Sequence, residues 1–166
     1  MFREMRVAGL TVDPFTNMPI IILKDMEDKS ALPIWIGLLE ASAIATELEK
    51  VHLPRPMTHD LLKKILDSFK VDVIKIEVND LKDNTFYATL HLKMGGKTHA
   101  IDSRPSDAIA IALRTDSPIY VSEEVIKKSK RIDLKEATAG KKDKESEQWA
   151  EILENMSPEA FGKYKM

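Results

Sequence analysis

Residues 100–112 read AIDSRPSDAIAIA, in which two apolar runs are joined by a short polar segment that contains a proline. Proline fixes its own φ at about −65° and disfavours helical geometry in the residue before it. The segment therefore predicts a strand that ends near Arg104 and a helix that begins at Pro105, a helical position where proline is tolerated. Because this helix is apolar on almost every side, we expect it to be buried. Two carboxylates, two hydroxyls and a guanidinium lie around its start, as is typical of a functional site.

Length and composition exclude several classes of protein. With 166 residues, of which 43% are hydrophobic and 31% charged, the sequence predicts one globular domain with a short appendage. No window approaches the roughly 20 apolar residues that a membrane span needs, and the first residues lack the apolar run of a signal peptide. We therefore expect a cytoplasmic protein. The absence of cysteine excludes disulfides, thiolate metal sites and cysteine nucleophiles.

The net charge is −2, and basic residues are spread evenly along the chain. Proteins that hold nucleic acid mainly by counterion release normally carry a basic excess. If this chain binds nucleic acid, we expect a local cluster of residues to do so.

Hydrophobic periodicity and turn residues predict the order of the elements. The predicted order is three strands, two helices, three strands, a buried helix, a short strand and a last helix. The predicted ranges are 6–12, 20–24, 31–36, 41–51, 58–69, 74–79, 86–93, 97–103, 105–114, 118–121 and 122–130. This order predicts a single α+β domain with a mixed, mostly antiparallel sheet over residues 1–133. Residues 134–166 are predicted to form a polar, partly flexible linker and a short amphipathic segment.

The three strands between residues 74 and 103 alternate clearly enough to predict their register. A three-residue loop at 82–84 and a two-residue loop at 95–96 bring the apolar faces together. This register places Glu77, Thr89 and Asp102 in one row on the polar face. The next row would hold Asn79, Tyr87 and Arg104. Because both rows are polar, we expect this side of the sheet to contact either solvent or a partner subunit.

Four separated motifs carry a resemblance to a known family: LPIWIG at 32–37, RPMTHDLL at 55–62, LKDNTFYA at 81–88 and IDSRPSDAI at 101–109. In this order they resemble the bifunctional nuclease domain family of bacteria and plants, over roughly residues 5–130. The resemblance implies a compact α+β fold, self-association as a homodimer or larger homo-oligomer, and cleavage of both DNA and RNA, the activity attributed to plant members.

Without cysteine, hydrolysis of a phosphodiester needs either a divalent metal held by carboxylates or an acid–base pair. The candidates lie at the polar joint and in the motifs of the resemblance. The predicted catalytic residues are Asp102, Asp107, His59 and Asp83. Arg104, Ser106 and Ser103 are the predicted phosphate ligands. For a Mg²⁺ or Mn²⁺ ion, the predicted ligands are Asp102, Asp107 and Glu40.

Each candidate also has a structural explanation. Asp102 and Asp107 could stabilise the start of the helix at Pro105 through its free N–H groups. Arg104 could bind a phosphate together with that helix start, or form a salt bridge with Asp102, Asp107 or Glu40. The sequence therefore supports two functions. One is a nuclease for DNA and RNA, and the other is a non-catalytic binding or regulatory module that recognises a small anion or a protein partner.

Overall fold

The computed structural model describes residues 1–130, and the predicted segment 134–166 lies outside the described residues. The described strands are β1 (Phe2–Val12), β2 (Pro19–Asp25), β3 (Ala31–Trp35), β4 (Asp72–Lys82), β5 (Thr85–Met94), β6 (Lys97–Ser103) and β7 (Ile119–Ser122). The helices are α1 (Leu38–Leu48), α2 (Thr58–Ser68) and α3 (Pro105–Thr115), followed by α4 at residues 123–130. The predicted α+β class and order of elements are confirmed.

All the described strands belong to one sheet, in the order β3-β2-β1-β7-β4-β5-β6. Neighbours are antiparallel except β4 and β7, which are parallel. Since β7 lies between β1 and β4, it joins the N-terminal three strands to the hairpins that follow α2. The two edges of the sheet are β3 and β6.

The buried core lies between the sheet and helix α3. Pro105 is the first residue of α3, as predicted, and seven of the helix's residues are buried. Small side chains allow the helix to approach the sheet closely, while α1 and α2 pack against its other sides. The buried helix residues are Pro105, Ser106, Ala108, Ile109, Ala110, Ile111 and Ala112.

The predicted register of β4, β5 and β6 is confirmed at its centre. Glu77 pairs with Thr89, and Thr89 pairs with Asp102. The prediction for the 82–84 loop is wrong, because the turn contains only Asp83 and Asn84, both with positive φ, at 48° and 58°. A bulge absorbs the extra residue, so Tyr87 pairs with Asp80 and the predicted row of Asn79, Tyr87 and Arg104 does not form.

Helix α2 is amphipathic, yet none of its residues is buried. Its apolar side chains are largely exposed, with Phe69 beyond its end the most exposed at 71%. The predicted N-cap, Thr58, is the first helical residue, and Met57 occupies the cap. No helix within residues 1–130 is both long and apolar enough to cross a membrane.

Candidate functional site

The first turns of α1, α2 and α3 meet at the polar joint that opens the buried helix. We call this site the three-helix junction. Each helix contributes polar residues from its first turn or cap, and α3 adds one from its last turn. Helix starts carry unpaired N–H groups and a partial positive charge, so three of them together favour an anion. The residues of the junction are Glu40, His59, Asp60, Arg104, Asp107 and Arg114.

Arg104 connects α1 to α3. It is the N-cap residue of α3, and its Nε donates to Asp107 Oδ2 at 2.9 Å while its Nη1 donates to Glu40 Oε1 at 2.8 Å. Two of the salt bridges predicted for Arg104 are therefore present. The side chain is still 64% exposed, so an incoming anion can reach the guanidinium.

Asp107 connects the same arginine to α2. Its Oδ1 lies 2.9 Å from His59 Nε2, so one carboxylate holds both Arg104 and His59. An ionised carboxylate only accepts hydrogen bonds. Nε2 therefore carries a hydrogen, and in the neutral ring Nδ1 is the nitrogen that bears the lone pair. This is the arrangement that orients a histidine for proton transfer.

Arg114 is a junction residue that the sequence analysis did not identify. Its side chain is only 3% exposed, and its Nε donates to Asp60 Oδ1 at 2.7 Å. Its other nitrogens donate to the carbonyl oxygens of Ala110 in α3 and Ala43 in α1. Asp60 in turn accepts from the backbone N–H of Met57 at 3.0 Å. Arg114 thus connects the start of α2 and the body of α1 to α3. Because His59 lies next to Asp60 in the first turn of α2, this connection also fixes the position of His59.

Gly37 explains how Glu40 reaches Arg104. It is the N-cap residue of α1, and Glu40 folds back over it. A Cβ atom at position 37 would overlap the Glu40 carboxylate, which is the end of a flexible side chain. Glycine at this position therefore leaves room for the Glu40–Arg104 ion pair.

The ion pairs of the junction set its ionisation. Burial alone raises the pKa of Asp107, but hydrogen bonds from Arg104 and His59 outweigh it and hold that pKa below its ordinary value. The hydrogen bond from Arg114 is the main reason that the pKa of Asp60 is also lowered. Asp107, and then Glu40, raise the pKa of Arg104 further. The carboxylates of Asp107 and Asp60 are therefore ionised at neutral pH.

The structure brings together four of the predicted site residues, Glu40, His59, Arg104 and Asp107. Asp102 lies on the sheet face that carries Glu77 and Thr89, opposite to α3, since its neighbour Ile101 pairs with the buried Leu90. Within residues 1–130, no hydrogen bond or ion pair joins Asp102 to the junction.

The other predicted site residues also lie apart from the ion pairs. Asp83 is at the exposed tip of the β4–β5 turn. Ser103 ends β6 and donates to the carbonyl oxygen of Arg104, while Ser106 is buried in the first turn of α3. The roles predicted for Asp102, Asp83, Ser103 and Ser106 stay predictions.

The donor set of the junction does not fit a resident divalent ion. Both oxygens of Asp107 and one of Glu40 bind cationic or N–H groups, and Asp102 lies on the other sheet face. In the described part of the chain, no three His, Cys, Asp or Glu side chains form a group that could hold a metal. The metal predicted for Asp102, Asp107 and Glu40 stays a prediction.

A second polar cluster lies on the sheet face opposite to α3. Glu77 is largely buried, and its carboxylate binds His91 Nε2 at 2.8 Å and the ammonium of Lys75. Lys75 also lies over the ring of Tyr120, 5.7 Å from its centroid. The sequence analysis placed Glu77 on this face but did not identify His91 as its partner. The residues around position 91 do not indicate which side chain the histidine contacts.

Comparison with known proteins gives matches over most of the chain. Residues 21–133 match the model of the bifunctional nuclease domain. An uncharacterized protein of Mycobacterium tuberculosis is 38% identical over 162 residues, which are 95% of this chain and 97% of that protein. Bifunctional nuclease 2 of Oryza sativa subsp. japonica is 32% identical over 118 residues, covering 68% of this chain and 36% of that protein. Bifunctional nuclease 1 of Arabidopsis thaliana is 33% identical over 110 residues, 63% of this chain and 34% of that protein.

Proposed function

This chain belongs to the bifunctional nuclease domain family, and on that premise we propose that it hydrolyses phosphodiester bonds of DNA and RNA at the three-helix junction. The observation that supports the proposal most is the pairing of His59 with Asp107 beside Arg104, where three helix starts meet. Two further sequence predictions belong to the proposal: a cytoplasmic location and assembly as a homodimer or larger homo-oligomer.

The binding step of this proposal is an exchange of anions at Arg104. A phosphate diester takes the place of the Glu40 and Asp107 carboxylates on the exposed guanidinium, which can bind two phosphate oxygens at once. The start of α3 carries a partial positive charge, although its first residue, Pro105, has no N–H, and this charge adds a favourable interaction with the phosphate.

The proton transfer is assigned to His59. Asp107 holds the imidazole by Nε2, so Nδ1 can take a proton from an attacking water or from a ribose 2′-hydroxyl. The imidazolium that forms is stabilised by the Asp107 carboxylate and can return the proton to the leaving oxygen. Removing a general base of this kind typically costs about 10²–10⁴ in rate.

A nuclease assay on the purified chain tests the proposal. Labelled single- and double-stranded DNA and RNA are incubated with the wild type in Mg²⁺, in Mn²⁺ and in chelator. The variants His59→Ala, Asp107→Asn and Arg104→Lys are run beside the controls His52→Ala, Asp67→Asn and Arg55→Lys, which change the same residue types at exposed positions outside the junction. We expect the junction variants to lose at least about 100-fold in rate and the controls to keep it.

The same assay tests the predicted roles of Asp102 and Asp83 and the predicted metal. Activity that disappears in chelator and in Asp102→Asn would support a metal bound by Asp102. Equal cleavage by the wild type and all the junction variants would reject the junction as the active site.

The second candidate function is a binding or regulatory module that recognises a small anion. A site that binds an anion without cleaving it requires an accessible cation. Arg104 meets this requirement, because it is well exposed and already binds two carboxylates. Binding of inorganic phosphate or a short oligonucleotide that depends on Arg104, in the absence of any cleavage, would favour this function over the nuclease.

A further inference from the structure

Strand β2 is buried on both faces of the sheet, since all seven of its residues are buried. Alternate side chains of a strand point to opposite faces. Ile21 and Leu23 belong to the core on the side of α3. Ile20 and Ile22 therefore point to the other face, where they form a small buried cluster with Ala8. We call this cluster the rear patch.

No helix within residues 1–130 accounts for the burial of the rear patch. The buried alanine, isoleucine and valine side chains of α1, α3 and α4 all belong to the core on the other face, and α2 packs against α3. Yet Ile20 and Ile22 are only 2% and 1% exposed. On β5, the inner strand next to the opposite edge of the sheet, Tyr87 lies on the same face as the patch and is 42% exposed. The rear patch therefore has a cover that the sheet face at β5 lacks.

Lys24 is a second sign of this cover. It follows Ile22 by two positions on β2 and so lies on the same face, yet it is only 7% exposed. On an open sheet face the long side chain of a lysine extends into solvent, and lysine is among the residues least often buried. The cover therefore extends from the rear patch over Lys24.

The sequence beyond α4 contains one segment with the composition of such a cover. Ser146 is a favoured N-cap, and Pro158 ends a helix at the residue before it. Between them, apolar residues recur at helical spacing on one side, and the glutamates at 147, 151 and 154 lie on the other side. Ten residues of helix are about 15 Å long, and three strands span about 10 Å, so one such helix covers the patch. The apolar residues are Trp149, Ile152, Leu153 and Met156.

We propose that the segment 147–156 packs as a helix on the rear patch of its own chain, with its apolar side against Ile20 and Ile22 and its glutamates in solvent. The 16 residues from 131 to 146 connect it to α4. Fully extended they reach about 50 Å, which is enough to pass round the edge of the sheet to its other face.

Charge gives the direction of the helix. Arg6 and Lys24 are paired residues of β1 and β2, so two cations lie together at one end of the rear patch. Glu145 precedes Trp149 by four positions and continues the apolar side of the segment at its start. The start of the segment therefore lies at the end of the patch that carries Arg6 and Lys24.

The stripe of α2 is the other apolar surface that this segment could cover. Its side chains are exposed, however, with Leu62 at 39%, Ile65 at 45% and Phe69 at 71%. The rear patch is buried and the α2 stripe is not, so the burial favours the rear patch as the docking surface.

The reactivity of single cysteines tests the proposal on the full chain, which has no cysteine of its own. Ala8→Cys places a thiol in the rear patch, and Ala100→Cys places an exposed thiol on the same face. We expect Ala8→Cys to react with an aromatic disulfide reagent about 100-fold more slowly than Ala100→Cys. Adding Leu153→Glu should raise the rate of Ala8→Cys about tenfold and leave that of Ala100→Cys within about twofold. Phe161→Glu, outside the segment, should change neither rate.

Two results of this assay would overturn the proposal. One is an unchanged rate of Ala8→Cys when Leu153→Glu is added. The other is protection of Ala8→Cys that weakens on about 100-fold dilution, because the cover would then come from a second copy of the chain.

The fluorescence of Trp149 gives a measurement without cysteine. In Trp35→Phe it is the remaining tryptophan, and we expect acrylamide to quench it about threefold less than in urea. Ile20→Thr should increase the quenching, and Leu62→Thr on α2 should leave it unchanged. Quenching equal to that in urea, or a response to Leu62→Thr but not to Ile20→Thr, would contradict the proposal. None of these measurements depends on nuclease activity, so this proposal and the proposed function fail separately.

Discussion

Replacing Arg114 with methionine should destabilise the protein strongly, because this arginine is the buried connection between three helices. Methionine matches the length and apolar stem of the side chain but leaves the Asp60 carboxylate without its main partner. The carbonyl oxygens of Ala110 and Ala43 lie inside helices and keep their backbone hydrogen bonds. Losing the additional hydrogen bonds from Arg114 therefore costs little.

The expected loss of unfolding free energy follows from the ion pair between Arg114 and Asp60. A hydrogen bond to a charged group contributes about 1.5–3 kcal/mol, and breaking a fully buried pair costs about 3–5 kcal/mol. The Asp60 side chain is one-third exposed and can be partly rehydrated, so the lower range applies. We expect Arg114→Met to lower the free energy of unfolding by about 2–3 kcal/mol and Arg114→Lys by about half of that, since lysine keeps the charge but not the planar fork.

The effect should depend on pH with a defined sign. Because Arg114 lowers the pKa of Asp60 in the folded protein, the pair stabilises the fold above the unfolded pKa of about 3.9 and this contribution is lost as the pH falls. The difference between wild type and Arg114→Met should therefore be largest at pH 7 and smaller at pH 3, below the unfolded pKa.

Urea unfolding followed by circular dichroism at both pH values measures these differences, with Arg55→Met as an exposed control that should change the free energy by less than about 0.5 kcal/mol. In the background of Asp60→Asn, Arg114→Met should cost clearly less, because no carboxylate is left unpaired. A loss below 1 kcal/mol at pH 7, or an equal loss at pH 7 and pH 3, would refute the reasoning.

Three other predictions follow from particular contacts. Gly37→Ala and Glu40→Gln should both raise the affinity for inorganic phosphate about threefold to tenfold in calorimetry, since the first displaces and the second neutralises one of the two carboxylates that compete for Arg104. Glu77→Gln should cost about 1–3 kcal/mol at pH 7 and less near pH 3, measured by urea unfolding. Burial alone raises the pKa of Glu77, but its bonds from Lys75 and His91 lower the pKa overall, so this contribution too is lost in acid. Asn84→Val should cost about 1–2 kcal/mol in thermal unfolding while Asn84→Gly costs nothing, because position 84 has positive φ.

Local rules were sufficient for the elements and for most of the register. The proline at position 105 fixed the start of α3, and strict alternation fixed the pairing of Glu77, Thr89 and Asp102. The same alternation already placed Asp102 on the polar face, away from the helix that carries Asp107. Closeness in sequence therefore did not place the two aspartates on one face of the sheet.

The contacts that assemble the junction could not be predicted in this way. His59 meets Asp107 across 48 residues, and Arg104 meets Glu40 across 64. These pairs depend on how helices pack, and helix periodicity does not specify which first turns come together. Arg114 looked like an ordinary basic residue at a helix end, where cations are favoured in any case. Only its burial between α1, α2 and α3 reveals its role.

The junction also explains why one arrangement supports both candidate functions. The Glu40 and Asp107 carboxylates occupy the guanidinium of Arg104 in the way that phosphate oxygens would. Anion recognition therefore needs only an exchange of partners at an exposed side chain. Hydrolysis needs one step more, the delivery of an attacking oxygen to Nδ1 of His59, whose side chain is mostly buried. The nuclease and the binding module thus share the contacts of Arg104 and differ at His59. A substitution at His59 separates the two functions, whereas one at Arg104 removes both.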